Sequence, residues 1–243
     1  MISKTTLANI GLVAALGVFL VVGITIATKG VLIAEATYQN PQLDDYLYEP
    51  STNNAIDWNK LREINPHTVG WIRVEGTPID YPLVHAPKAD PDFYLTHDFY
   101  SNANALGTPY VHASCTSIND SVVWIFGHHS ASGRLFSALS NFSDASFAQS
   151  HPIVLLTPDS AGGTITTPLE TSAVRIVNAQ AEAGVMTNFA SNADVLRWFT
   201  AQYQQAEVQL EKAHLQDQII ALVTCSYTTF ENERTVVFTC KKD

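Results

Sequence analysis

Alternating apolar and polar positions predict that the chain beyond residue 55 is built mainly of β-strands. Residues 70–74 and 79–84 alternate on either side of a turn that contains Gly76, as half-buried strands do. Further strand-like runs cover residues 107–112, 121–126, 153–156, 171–177, 218–224 and 235–239. The pattern predicts a mixed, mostly β domain with inserted helices, either a barrel or a sandwich.

Three segments have helical rather than strand-like spacing. Residues 55–64 have apolar side chains at helical intervals, and Pro66 ends the pattern. Residues 134–147 fit one or two short helices. In residues 192–205 the apolar side chains recur at three- and four-residue steps, with Asn192 as the predicted N-cap.

A long apolar segment stands near the amino terminus. Residues 5–28 carry no charge between Lys4 and Lys29, and a helix of that length can cross a bilayer. We expect a single-pass membrane anchor with its amino terminus in the cytoplasm and the remaining chain outside the cell. A cleaved signal peptide that ends near residues 34–36 is the alternative.

The composition changes after this segment. Residues 30–54 are polar and contain two prolines, which predicts a stalk between membrane and domain. The chain is therefore divided into an anchor (1–29), a stalk (30–54) and a domain (55–243). The formal net charge is −10 and the basic residues are scattered singly, which argues against a nucleic-acid partner.

The three cysteines form an odd set for a domain outside the cell. Cys225 is the candidate reactive thiol. Cys115 and Cys240 either form a disulfide or are two buried small side chains, and the sequence leaves both possibilities open. No pair of residues has CxxC or HxxxH spacing, so we predict no metal site.

Three side chains suited to acyl transfer belong to strand-like runs. Cys225 ends one apolar run, Arg234 lies nine residues later in the next, and His128 follows Gly127 at the end of a third. A thiol, an imidazole and a guanidinium at strand ends are a plausible acyl-transfer constellation. His128 and His129 point to opposite faces of an extended chain, and we assign the acid–base role to His128.

The residues around Cys225 bear on its reactivity. A lone cysteine at the end of a buried strand is more often structural than reactive. The polar neighbours Thr224 and Ser226 suggest instead that the strand leaves the core for a solvated rim. A nearby cation such as Arg234 would increase the thiolate fraction of the cysteine.

Together these motifs resemble a known family. Leu222-Val223-Thr224-Cys225 followed by Arg234, with Gly127-His128 after an earlier apolar strand, resembles the sortases, membrane-anchored cysteine transpeptidases of Gram-positive bacteria. Similarity to class B in particular extends over these segments: 69–72, 76–84, 94–99, 126–129 and the helix-containing insert before the Cys strand. The resemblance covers about residues 55–239. Ala221 departs from it, since the family usually has Thr there.

The resemblance implies a fold and a set of roles. The fold would be a closed β-barrel with an N-terminal helical arm and a helix in the loop before the Cys strand. Cys225 would attack the Thr carbonyl of a C-terminal sorting signal, and His128 would protonate the leaving amine and deprotonate the incoming one. Arg234 would donate hydrogen bonds to the substrate, and Thr224 and Ser226 would line the cleft. This chemistry requires no cofactor or metal.

The implied partners are a surface protein that bears a sorting signal and an amine acceptor from a cell-wall precursor cross-bridge. Two alternatives stay open. One is a sortase that polymerises pilins and uses a pilin lysine as the acceptor. The other is a membrane-tethered binding module whose thiol is idle. The sorting signal itself cannot be deduced from the sequence.

Overall fold

Most of the predicted domain is described by the computed structural model, which covers residues 56–158, 161–178, 185–210, 213–214, 217–225 and 233–241. The predicted anchor and stalk lie outside these residues, so the predicted domain boundaries stay predictions. Among the helices within these ranges, none is long and apolar enough to span a membrane. The described residues all belong to one structural unit, Asn40–Asp243.

The strands of the described part form a single sheet that closes on itself. Their bounds are β1 (Thr68–Val74), β2 (Asp80–His85), β3 (Tyr110–Val111), β4 (Val122–Phe126), β5 (Ile153–Pro158), β6 (Thr164–Asn178), β7 (Val208–Gln209), β8 (Gln218–Cys225) and β9 (Glu233–Lys241). Their order is β5-β1-β2-β3-β4-β8-β9-β6-β7, and β5 also pairs with β6. Eight strands therefore close a barrel and β7 extends it beside β6, which confirms the predicted mostly β, closed-barrel fold.

The centre of the sheet explains why two sequence runs are apolar throughout rather than alternating. Strand β4 runs parallel to β8, and β8 runs antiparallel to β9. In β4 the residues from Val122 to Ile125 are all buried, as are those from Ile219 to Thr224 in β8. Both faces of these strands are covered, as is usual for parallel pairs, and a continuous apolar run is the result.

Helices occur in the three segments whose spacing predicts them, and a short 3₁₀ helix that the spacing did not predict lies at Phe93–Leu95. They are α1 (Trp58–Ile64), α2 (Ala145–Ser150), α3 (Asn192–Gln204) and two 3₁₀ helices, Phe93–Leu95 and Ser137–Ser143. Asn192 was the wrong choice of cap for α3. Ser191 has an extended backbone (φ −159°, ψ 162°) and its hydroxyl accepts the N–H of Asp194, which defines Ser191 as the N-cap.

Two strands differ in length from their predicted ranges. β3 has only two residues instead of six, because Gly107 adopts a left-handed backbone (φ +63°) before the strand begins. β6 has 15 residues, because its first half pairs with β5 and its second half with β9. The inserted helix α3 packs against the barrel through Phe199, whose ring lies 5.7 Å from that of Phe238.

The cysteines other than Cys225 are core residues. Cys115 and Cys240 are buried thiols (0% and 3% exposed) and are not bonded to each other, so of the two possibilities the buried pair is the correct one. Burial raises the pKa of Cys115 to about 11, and its sulfur accepts the N–H of Trp124 at 3.4 Å. Trp198 packs against Trp124, with the two ring centroids 6.0 Å apart.

Candidate active site

The chain leaves β4 through a glycine that no other residue can replace without rearrangement. The Gly127 N–H donates to the carbonyl of Val223 at 3.0 Å, which extends the pairing of β4 with β8 by one residue. A Cβ at Gly127 would lie 2.6 Å from the buried ring of Phe136, closer than real Cβ contacts allow. The glycine thus lets the main chain pass close over this ring before His128.

The strand register brings the three predicted residues to neighbouring positions. Phe126, the last residue of β4, pairs with Val223; His128 follows two residues after the end of β4, and Cys225 is the last residue of β8, two residues after Val223. Arg234 is the direct cross-strand partner of Cys225 in the antiparallel pair β8–β9. The segment after β4 and the adjacent strands β8 and β9 therefore bring a histidine, a cysteine and an arginine to the same end of the barrel.

The imidazole of His128 is held by a distant main-chain group. Its Nε2 lies 2.8 Å from the carbonyl oxygen of Leu95, 33 residues away in sequence. A carbonyl can only accept a hydrogen bond, so Nε2 carries the hydrogen. The half-buried ring is thereby oriented by the 3₁₀ helix Phe93–Leu95.

The main chain of His128 is fixed by the loop that follows it. The Phe136 N–H donates to the carbonyl of His128 at 3.0 Å, and His129 forms a β-bridge with Leu135. Leu135 has a left-handed backbone (φ +55°), and its N–H donates to the hydroxyl of Tyr81 at 3.0 Å. Such a conformation costs about 1 kcal/mol or more for a non-glycine residue, and the fully buried leucine and its hydrogen bond offset that cost.

Comparisons with known proteins agree with this geometry, although no protein-family model matches the chain. Sortase B of Listeria monocytogenes is 29% identical over 147 residues, which are 56% of this chain and 58% of that protein. A crystal structure of Clostridium perfringens sortase B is 28% identical with a TM-score of 0.68, over 76% of this chain and 99% of that one. By sequence and by fold, the chain resembles the class B sortases.

The likeness does not extend over the whole length of every relative. The chain spans less than two thirds of the length of the curated Listeria monocytogenes relative. A Staphylococcus aureus sortase B structure, 22% identical with a TM-score of 0.64 over 75% of this chain and 82% of that one, shares the fold. Of the two solved structures, that of Clostridium perfringens is covered over the larger share of its own length, 99% against 82%.

The residues beside the cysteine differ from the expectation of a solvated rim. Thr224 is only 1% exposed, because β8 is a central strand that is still paired with β9 at this position. Its Oγ1 has no hydrogen-bond partner among the described residues. Ser226, the other predicted cleft residue, lies outside the described residues.

Sequence reasoning missed the main-chain carbonyl of Leu95, which contacts the imidazole. It also missed the left-handed backbone of Gly107. The aromatic stretch around Leu95 indicated similarity to the family but gave no sign that a carbonyl there meets His128. Gly107 was read as part of a strand. Within the described part of the sortase-like domain, no cluster of His, Cys, Asp or Glu could hold a metal ion.

Proposed function

We propose that the chain is a class B sortase that cleaves a C-terminal sorting signal after its Thr and transfers the new carboxyl terminus to an amine. The observation that supports the proposal is the strand register, which pairs Cys225 with Arg234 and pairs the Cys225 strand with β4, whose end is two residues before His128. Sortase B relatives with the same fold supply the reaction class. The reaction would proceed in two halves through one thioester.

In the first half, the Cys225 thiolate attacks the carbonyl carbon of the signal's Thr. The amide C–N bond breaks, and the leaving amine takes a proton from the His128 imidazolium. Arg234 donates hydrogen bonds to the substrate carbonyl as negative charge develops on its oxygen. The products are a thioacyl-enzyme and the released C-terminal peptide.

In the second half, an amine nitrogen attacks the thioester carbon. Its proton passes to the neutral imidazole of His128, the C–S bond breaks and the thiolate is restored. The histidine ends the cycle in the state in which it began. All groups come from the chain and its two substrates, so the cycle needs neither a cofactor nor a metal.

The substrates follow from the same likeness. The Staphylococcus aureus structure of this fold is a sortase B–substrate complex, which supports binding of a sorting signal. We assign the donor to a surface protein and the acceptor amine to a cell-wall precursor cross-bridge. Residues 5–28 would tether the enzyme to the membrane with its domain outside the cell, and Ser226 would border the cleft, with the buried Thr224 beneath it.

The proposal is tested by transpeptidation. The full-length chain is incubated with peptides that contain sorting-signal-like Thr positions and with a short amine acceptor, and ligated product is measured by mass spectrometry. Cys225→Ala should abolish product, whereas Cys115→Ala, which removes a buried thiol, should leave it. Turnover by Cys225→Ala would refute the assignment, and no product with any peptide of a broad library would favour an idle binding module.

A further inference from the structure

A short segment outside the cysteine and arginine strands fixes which nitrogen of His128 can exchange a proton. The carbonyl of Leu95 occupies Nε2 at 2.8 Å and forces the hydrogen onto that atom. Among the described residues, no hydrogen bond is recorded for Nδ1 of this ring. Nδ1 is therefore the nitrogen available for chemistry.

Gly107 is what allows the Leu95 carbonyl to stand in this position. Its backbone is left-handed (φ +63°) and packs directly on the 3₁₀ helix. A Cβ there would overlap the carbonyl oxygen of Tyr94 and lie 2.8 Å from that of Leu95. Since both neighbours are main-chain atoms, a side chain at residue 107 must displace the carbonyl that holds His128.

The other side of the segment is tethered by a buried hydroxyl. The Tyr94 hydroxyl donates to Oδ1 of Asn65 at 3.1 Å and accepts from its Nδ2 at 3.0 Å. It also lies 2.8 Å from Nδ1 of His67, and the Tyr94 carbonyl accepts the N–H of Thr108 at 2.9 Å. Burial raises the pKa of Tyr94, so the hydroxyl keeps the proton that it donates.

We propose that residues 93–107 act as a tautomer clamp for His128, in which the Leu95 carbonyl holds Nε2–H, and Gly107 and Tyr94 are positioning residues for that carbonyl. The inference rests on the proposed role of His128. Nδ1 then gives the proton to the leaving amine when the C–N bond breaks, and Nδ1 takes the proton of the incoming amine. The hydrogen on Nε2 stays in place through both halves.

The clamp affects the reaction through geometry and the identity of the active nitrogen. Held in one orientation, the ring offers one lone pair in the direction of the reacting nitrogen and loses little rotational freedom during the reaction. Displacements of about 1 Å in such a group can cost about a hundredfold in rate. A structural role alone would lower the amount of folded protein without changing the protonated nitrogen.

Nitrogen-15 NMR of the full-length chain labelled at histidine tests the clamp without reference to activity. The His128 signals are identified by their loss in His128→Gln, among those of the eight histidines. For the neutral ring, the expected spectrum is that of a single tautomer with hydrogen on Nε2. A ring with its hydrogen on Nδ1, or an average of both tautomers, would overturn the proposal.

A matched glycine pair separates the clamp from backbone strain. Gly107→Ala and Gly162→Ala both put a side chain on a left-handed backbone, but a Cβ at Gly162 (φ +87°) would meet nothing within 4 Å. Gly107→Ala should mix the His128 tautomers and lower kcat about a hundredfold with a small change in KM, whereas Gly162→Ala should keep both. An unchanged tautomer and kcat in Gly107→Ala would contradict the clamp.

Tyr94→Phe provides the test if Gly107→Ala does not fold. It keeps the buried ring and removes only the hydroxyl that bonds Asn65 and His67, so kcat should fall while the peptide KM is retained.

A fixed Nε2–H tautomer in a chain without transpeptidation would uphold the clamp and refute the proposed function. Active enzyme with a mixed tautomer would do the reverse, so the two failures are distinguishable.

Discussion

Histidines in two kinds of position make different contacts with the imidazole ring, local in one case and long-range in the other. His97 and His151 each stack on the phenylalanine four residues earlier, with ring centroids 3.9 and 3.7 Å apart. Each also meets that residue's carbonyl through Nδ1 at 2.8 Å. His128 instead reaches Leu95, 33 residues away, through Nε2. The local pairs stabilise single turns, whereas the long-range contact orients a ring beside the Cys225 strand.

The cysteines show a similar contrast. Cys115 is fully buried, and desolvation raises its pKa to about 11, so the thiol is inert at neutral pH. Cys225 ends β8 directly opposite Arg234. The comparison shows that a cysteine's position at the end of the parallel strands, more than its residue type, distinguishes the candidate nucleophile from a buried core thiol.

Among the histidine-to-alanine substitutions, the one at His128 should have the largest effect. His128→Ala should lower kcat/KM about 10²- to 10⁴-fold, the usual contribution of general acid–base catalysis. His151→Ala should leave kcat/KM unchanged, and His129→Ala should change it less than about tenfold. Steady-state peptide transfer measures all three, and a greater loss in His129→Ala than in His128→Ala would show that the wrong ring was chosen.

Arg234→Lys should have the next largest effect. It keeps the positive charge opposite Cys225 but loses the planar fork that can donate two hydrogen bonds at once. We expect kcat/KM to fall by about tenfold or more, equivalent to about 1.4 kcal/mol of transition-state stabilisation. A lysine variant with near-normal kcat/KM would mean that charge alone is sufficient.

The local histidine pairs should matter for stability instead of turnover. His151→Ala removes a stacked ring contact and a main-chain hydrogen bond, so the free energy of unfolding should fall by about 1 kcal/mol. Urea denaturation measures this change, with His214→Ala, at an exposed loop position, as the control. Equal stability of the two variants would show that the stacked pair contributes nothing measurable.

Cys115 gives the most specific effect, a dependence of stability on pH that is confined to the alkaline range. Its folded pKa, about 11, is above the ordinary value of 9.0, so the unfolded state loses the proton first as pH rises. The stabilisation is complete below about pH 9 and disappears as pH passes through 11. The free energy of unfolding should fall more steeply over this window in the wild type than in Cys115→Val; parallel curves would contradict the assignment.

What could be deduced from the sequence followed from short-range patterns. The uninterrupted apolar runs of β4 and β8 mark strands covered on both faces, and the nine-residue spacing from Cys225 to Arg234 fits two adjacent antiparallel strands. The burial of Thr224 was not foreseen, because its polarity suggested a rim while the strand was still paired with β9 at this position. The spacing says nothing about which strand pairs with which.

The clamp was beyond sequence reasoning for a different reason. The group that holds His128 is a main-chain carbonyl, which every residue has, so Leu95 carries no distinguishing side-chain signal. Gly107 signals only that some backbone constraint exists, and its partners are 12 and 13 residues earlier in the chain. Such contacts are set by how the 3₁₀ helix packs in the folded domain, which no local pattern encodes.

The most direct test of the central claim is the intact mass of the full-length chain after mixing with a sorting-signal peptide library and no amine acceptor. The account predicts a mass increase equal to the acyl part of one peptide, held as a thioester that hydroxylamine releases and that peptide mapping assigns to Cys225. An adduct on Cys115 or Cys240, or none on a folded chain with any peptide, would contradict it.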